Sequence, residues 1–192
     1  MGEKRDNSTN QELNPDQKKQ LLKITRKTLE VFLEDKKIPE LVVDDFGLNQ
    51  KCGVFVTLRK DDSLRGCIGQ FQSNDPLYKT VQQTAIDAAL HDDRFFPVTA
   101  SELNSIKIEI SVLSKPKKIS NWGEIELGKH GVIVRKGLRG GTYLPQVATE
   151  TGWNLGEFLS HLCCDKAYLP ADAYKDPQTK LWTYTAQVFK EE

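Results

Sequence analysis

The sequence predicts an α+β fold, with a mostly antiparallel or mixed sheet flanked by helices and organised as two hairpin–helix–strand units. Three observations carry this expectation. Paired apolar runs separated by short turns occur twice, at 53–67 and 131–141. A stretch with helical spacing follows each pair, and an alternating strand closes each set. Strands and helices do not alternate regularly, which argues against a doubly wound parallel sheet.

Taken in order, residues 1–13 are polar and without period and read as a disordered tail. Gly2 lacks the Ser or Thr that myristoylation needs where Asp6 stands. Asn7-Ser8-Thr9 matches a glycosylation acceptor in form only, because no export signal accompanies it. The remainder, 14–190, reads as one domain with units at about 50–114 and 128–190.

Asn14-Pro15 supplies an N-cap and a proline at the first helical position. Leu21, Ile24, Thr28, Val31 and Phe32 then recur at helical spacing to about Asp35. Ile38–Gln50 is a connection. The first hairpin, Gly53–Lys60 and Leu64–Cys67, turns at Asp61-Asp62-Ser63, and the second, Gly131–Lys136 and Leu138–Gly141, turns at Gly137. Leu77, Val81, Ala85 and Ala88 stripe the helix after the first hairpin; Trp153, Leu155, Phe158, Leu159 and Leu162 stripe the one after the second. Ile106–Ser114 and Lys180–Phe189 are the closing strands. Ser114–Lys118 reads as the boundary between units, its basic run a solvated linker. Leu64-Arg65-Gly66-Cys67 aligns with Leu138-Arg139-Gly140-Gly141 as a weak internal repeat.

Lysine plus arginine and aspartate plus glutamate each number 27. That balance argues against a dedicated nucleic-acid or anionic-membrane binder. No apolar run is long enough for a membrane span. Cys52, Cys67, Cys163 and Cys164 include no Cys-x-x-Cys pair, which fits reduced thiols and a cytoplasmic location.

Leu64-Arg65-Gly66-Cys67-Ile68-Gly69 is the segment that points to a site. Regular alternation would put Arg65 and Cys67 on one face, roughly 7 Å apart at Cα. A guanidinium beside a thiol favours the thiolate, so Cys67 is the candidate nucleophile or redox centre. The alternative is a small, structurally buried cysteine. Gly66 and Gly69 invite close approach to the backbone. Asp92 and Arg94 rim a pocket with Phe95 and Phe96, or form an ordinary ion pair at a helix exit whose aromatics cover the core. If Ile106–Val112 lies beside the Cys67 strand, Glu109 is the candidate general base. His161 could act as base toward Cys67 or, with Cys163 and Cys67, ligate a metal. His-x-Cys is weak ligand spacing, so no metal is assigned, and the second helix end is the structural alternative.

Taken together, these segments resemble the AMMECR domain family, called AmmeMemoRadiSam system protein A in its prokaryotic branch. The likeness is carried by Leu64–Gly69, Ala88-Ala89, Asp92, Arg94-Phe95, Ile108–Leu113, Leu144–Val147, Trp153–Ala167, Leu169-Pro170 and Asp172-Ala173, and covers about 15–189. Gly141-Thr142-Tyr143 departs from it, the family more often having an aliphatic run there. The resemblance implies two unequal lobes with a site in the cleft between them, and a cytoplasmic protein that accompanies Memo-like and radical-SAM proteins. It implies no assigned activity and no particular cofactor. Two functions therefore stand open. One is a small enzyme using Cys67, with Glu109 or His161 moving protons. The other is a binding or scaffold module in which Arg65, Gly66, Gly69, Asp92 and Arg94 hold a ligand or partner. RNA or nucleotide binding is disfavoured by the neutral charge and the few strand aromatics.

Overall fold

A computed structural model describes residues 12–192. Of the tail expected over 1–13, residues 1–11, with the Gly2 and Asn7 readings, lie outside the described residues. Leu13 does not belong to a tail: it is buried, and its N–H donates to Gln187 Oε1 at 2.8 Å. The chain divides into two compact units, one running to Lys115 and including Gln187–Glu192, the other spanning Pro116–Ala186.

The first unit opens with α1 (Pro15–Asp35). Asn14 and Gln17 cap it reciprocally, and Lys36 ends it in the left-handed region. Its buried face is Leu21, Ile24, Thr25, Thr28, Leu29 and Leu33; the expected Val31 and Phe32 are only half-buried. Thr25 and Thr28 satisfy their hydroxyls on the carbonyls four residues back, and Gln82 bonds Thr28 from the neighbouring helix. β1 (Val54–Lys60) and β2 (Ser63–Gln70) form the hairpin. Its two-residue loop has both Asp61 and Asp62 at positive φ, the conformation that follows the strand twist. α2 (Leu77–Leu90), a 3-10 turn (Ala100–Ser105) and β3 (Ile106–Leu113) follow.

The second unit contains β4 (Lys117–Ile119), β5 (Gly131–Lys136), β6 (Arg139–Tyr143), α3 (Pro145–Thr151), α4 (Leu155–His161), a π-helical turn (Leu162–Lys166) and β7 (Lys180–Tyr184). β8 (Ala186–Lys190) then returns to the first sheet.

Each sheet has four strands, in the orders β2-β1-β3-β8 and β6-β5-β7-β4. In both, the first hairpin strand is central and pairs antiparallel with its hairpin partner and with the closing strand. The fold is therefore the α+β arrangement expected. One core gathers Val54, Val56 and Leu58 of β1, the isoleucines of β3, and the inner faces of α1 and α2. The other gathers Val132, Val134, Phe158, Leu159 and Leu162.

Several local expectations are corrected. Lys180–Phe189 is not one strand: β7 and β8 join different sheets, broken at Thr185. Lys117 and Lys118, expected as linker, belong to β4 and pair with β7. Between the second hairpin and its expected helix lies a further short helix, Pro145–Thr151, with proline at its start and Gly152 at its stop. Trp153 precedes α4, which Asn154 caps.

Register also shifts the internal repeat by one. The β1–β2 ladder slips between Leu58 and Arg59: Leu58 faces Gly66 while Arg59 faces Leu64, leaving Arg65 as the extra residue of a bulge. In the second hairpin Val134 faces Gly141 with no slip. Gly66 thus corresponds to Gly141, and Cys67 to Thr142. Both glycines answer the same need. A Cβ on Gly66 would lie 2.2 Å from the Ala88 carbonyl oxygen at the end of α2, and one on Gly141 would lie 2.6 Å from the Lys166 carbonyl carbon in the π-helical turn.

Gly66→Ala is expected to destabilise the protein by about 3 kcal/mol, because the obstructing atom is backbone and cannot rotate away. Gly137→Ala, at φ 60 in open space, is expected to lose only about 1 kcal/mol. Urea unfolding followed by circular dichroism checks both values, and comparable losses at the two sites would contradict the packing argument.

Candidate functional site

β2 is an edge strand, and the site forms along its outer side. Gly66 admits the end of α2 against the strand. The chain leaves α2 at Leu90, and two residues later Asp92 reaches the β2 edge. Its Oδ2 accepts the Cys67 N–H at 2.8 Å, and Arg94 Nη2 donates to the Cys67 carbonyl at 3.2 Å. The same arginine grips Asp92 with two bonds, Nε–Oδ1 at 2.8 Å and Nη2–Oδ2 at 2.7 Å. One acidic and one basic side chain thus occupy the backbone groups that another strand would pair with. Asp92 is buried, yet its carboxyl titrates below its ordinary range, chiefly because Arg94 donates to it and secondarily because the Cys67 and Arg94 amides do.

Cys67 is half-buried. Thr57 faces it on β1, and the Thr57 hydroxyl lies 3.3 Å from its sulfur. Burial pushes the thiol above 9.0; the Thr57 hydrogen bond and the Arg94 charge act in the other direction, while Asp92 and Glu109 add to the rise. The proximity of a guanidinium therefore does not produce a low-pKa cysteine.

Arg65 is not the guanidinium beside the thiol. The bulge breaks the expected alternation, placing Leu64 opposite Arg59, on the face shared by Thr57 and Cys67. Arg65 pairs with Glu102 of the 3-10 turn, Nε–Oε1 at 2.9 Å and Nη2–Oε2 at 3.0 Å. Lys60 reaches the same carboxylate at 3.1 Å. These donors, Arg65 foremost, pull the Glu102 carboxyl from 4.5 down to about 2. Glu102 and Thr57 escaped the sequence reading because neither stands in a motif; one follows a long non-periodic exit from α2 and the other is an ordinary strand threonine.

Glu109 does share the Cys67 face, but β3 adjoins β1 and not β2. Thr57 therefore stands between them in a row across three strands, Cys67–Thr57–Glu109. Direct proton transfer from that thiol to Glu109 has no contact to use here. Ser111, two residues from Glu109 on the same strand, is buried.

Arg65, Asp93, Arg94, Phe95 and Phe96 line an open hollow of about 530 Å³. Arg94, Phe95 and Phe96 rim this hollow, while Asp92 does not line it and forms the ion pair with Arg94. Phe96 does not cover the core: it is 90% exposed. The Arg94 guanidinium lies 5.5 Å from the Phe95 ring. A Cβ on Gly69 would meet the Phe55 ring at 2.2 Å, so a side chain there requires that ring to move.

His161 belongs to the second unit, where its ring stacks on Trp153 (4.1 Å, 6°) and its Nδ1 meets Asp165 Oδ2 at 2.9 Å. The Tyr143 hydroxyl lies 3.5 Å from the same carboxylate oxygen. Burial, reinforced by Asp165, raises the Tyr143 hydroxyl above its usual value. Cys163 is buried and its thiol is raised, mainly by burial. Among the described residues no group of three or more His, Cys, Asp or Glu could hold a metal ion, and no helix is long and apolar enough to cross a membrane.

A two-unit α+β chain whose glycine-bearing edge strand is held by an Asp–Arg pair defines the class of protein. The AMMECR1 family model matches residues 22–189, and the chain belongs to that family. Protein MK0488 of Methanopyrus kandleri is 46% identical over 181 residues, covering 90% of this chain and 87% of its own. A Methanothermobacter thermautotrophicus protein is 41% identical over 189 residues, covering 94% and 97%. The crystal structure of the uncharacterized protein PH0010 from Pyrococcus horikoshii matches with a TM-score of 0.84 at 38% identity, covering 90% of each chain.

Because the folded Glu102 carboxyl titrates lower than an unfolded one, the stability it supplies is complete above about pH 4.5 and is lost as pH falls toward about 2. Glu102→Gln is therefore expected to be less stable than the parent near neutral pH, with the gap closing toward pH 2. Urea midpoints across that range check it; a gap independent of pH would remove the ion pair as its cause.

Proposed function

We propose that this member of the AMMECR1 family is a binding module and not a cysteine enzyme, recognising a partner protein through the outer side of β2 and the neighbouring hollow. The observation that carries this reading is the disposition of the two arginines. Arg65, which would have had to activate Cys67, is committed to Glu102, while Arg94 and Asp92 hold the Cys67 backbone. The Cys67 thiol is raised, which leaves little thiolate near neutral pH. The exposed Phe96 and half-buried Phe95 offer an aromatic anchor of the kind enriched at interfaces. The family resemblance makes the Memo-like and radical-SAM proteins the partners to test first.

The deciding experiment is titration calorimetry of the purified chain against each of those proteins. One of them is expected to bind, with Cys67→Ala leaving affinity unchanged and Phe96→Ser weakening it by about ten-fold. Binding lost in Cys67→Ala, or retained in Phe96→Ser, would overturn the reading. Iodoacetamide kinetics give an independent check: exposed Cys164 is expected to react first, and Cys67 to reach half its limiting rate only above pH 9.0. A fast phase assigned to Cys67 below that pH would restore the enzyme alternative.

A further inference from the structure

The geometry points to an extended, uncharged polypeptide segment, and not an anion, as the ligand of the β2 edge and its hollow. This rests on the binding-module reading and narrows it to a ligand class. Two arginines lining a hollow suggest a carboxylate or phosphate site. The structure removes the basis for that. Each guanidinium is already neutralised by a carboxylate held through two bonds, Arg65 by Glu102 and Arg94 by Asp92, and Asp93 adds a negative charge to the lining. Lys60, ion-paired with Glu102, offsets that charge. An incoming anion would meet no net positive field and would have to compete with two preformed ion pairs.

What remains unfilled is hydrogen-bonding capacity without charge. Among the described residues, Nη1 of Arg65 and Nη1 of Arg94 meet no acceptor; their Nε and Nη2 atoms make the bonds already given. On β2, Cys67 turns its N–H and C=O outward to Asp92 and Arg94. Antiparallel alternation then turns those of Gly69, two residues on, to the same side, beyond the reach of that clamp. The Gly69 N–H and C=O, the groups of this edge that the clamp leaves open, are complementary to one chemistry above others, another extended backbone. The free Nη1 donors suit its carbonyls. The exposed Phe96, with Phe95 beside the Arg94 guanidinium, suits an apolar side chain at its anchor. Asp92 and Arg94 set the register, since the segment must lie past Cys67 or displace them.

The test is selection of a random dodecapeptide display library on the immobilised full chain, with millimolar inorganic phosphate present throughout. Enriched peptides are expected to be apolar and without net negative charge, and to lose affinity by about ten-fold on Phe96→Ser. Hydrogen exchange with the best synthetic peptide bound is expected to slow the Gly69 amide by about ten-fold or more. Enrichment of acidic peptides, competition by phosphate, unchanged Gly69 exchange, or no enrichment at all would each overturn the inference. These outcomes are separable from the parent reading. A partner protein that binds in a Phe96-dependent way while the library yields acidic peptides or none leaves the module standing and removes the extended segment.

Discussion

The approach of α2 to β2 at Gly66 is the constraint from which the candidate site follows. With hydrogen in place of a side chain, the Ala88 carbonyl can sit against the strand, and the helix axis is brought in accordingly. A helix held that close delivers Asp92 to the strand edge, because only a few residues separate the two points. Arg94 then completes the clamp on Cys67, and Phe95 and Phe96 are carried to the rim of the hollow. The bulge at Arg65 belongs to the same arrangement, since it swings that side chain out of the ladder toward Glu102.

The second unit repeats the constraint with a different ending. Gly141 admits the Lys166 backbone as Gly66 admits that of Ala88, and it faces the central strand in the same way. The first three strands of the two orders, β2-β1-β3 and β6-β5-β7, match position for position, whereas the fourth follows its hairpin in one sheet and precedes it in the other. Shared topology and a shared glycine at the shared crossing support duplication far better than the likeness of two hairpins could. The copies then diverged: Thr142 occupies the place of Cys67, no bulge interrupts the ladder, and the helix ends in a π-helical turn beside the His161–Asp165 pair.

Much of this was legible from residue order. Asn14-Pro15 marked the start of α1, Asp61-Asp62 and Gly137 marked the two turns, and alternation in Ile106–Val112 fixed which side of β3 faces the core. What was not legible came from causes that act between elements. A bulge inverts the alternation on which the Arg65–Cys67 pairing was reasoned, and nothing local to Leu64–Gly69 announces it. The strand order places Thr57 between Cys67 and Glu109, and order is a tertiary property. α3 is too short to show a periodic stripe, so only Pro145 and Gly152 marked it. The two strands within 180–189 read as one because Thr185 is itself an acceptable strand residue.

The crossing of strands between sheets has a consequence for synthesis. β3 presents an unsatisfied flank until β8 docks, and Arg26 on α1, which already holds the Leu103 and Ile106 carbonyls, waits for Glu191 as its carboxylate. Residues 187–191 leave the ribosome after all of the intervening second unit. The N-terminal sheet is translated first yet gains its fourth strand only after the second unit has been made, so the β3 flank stays open until then.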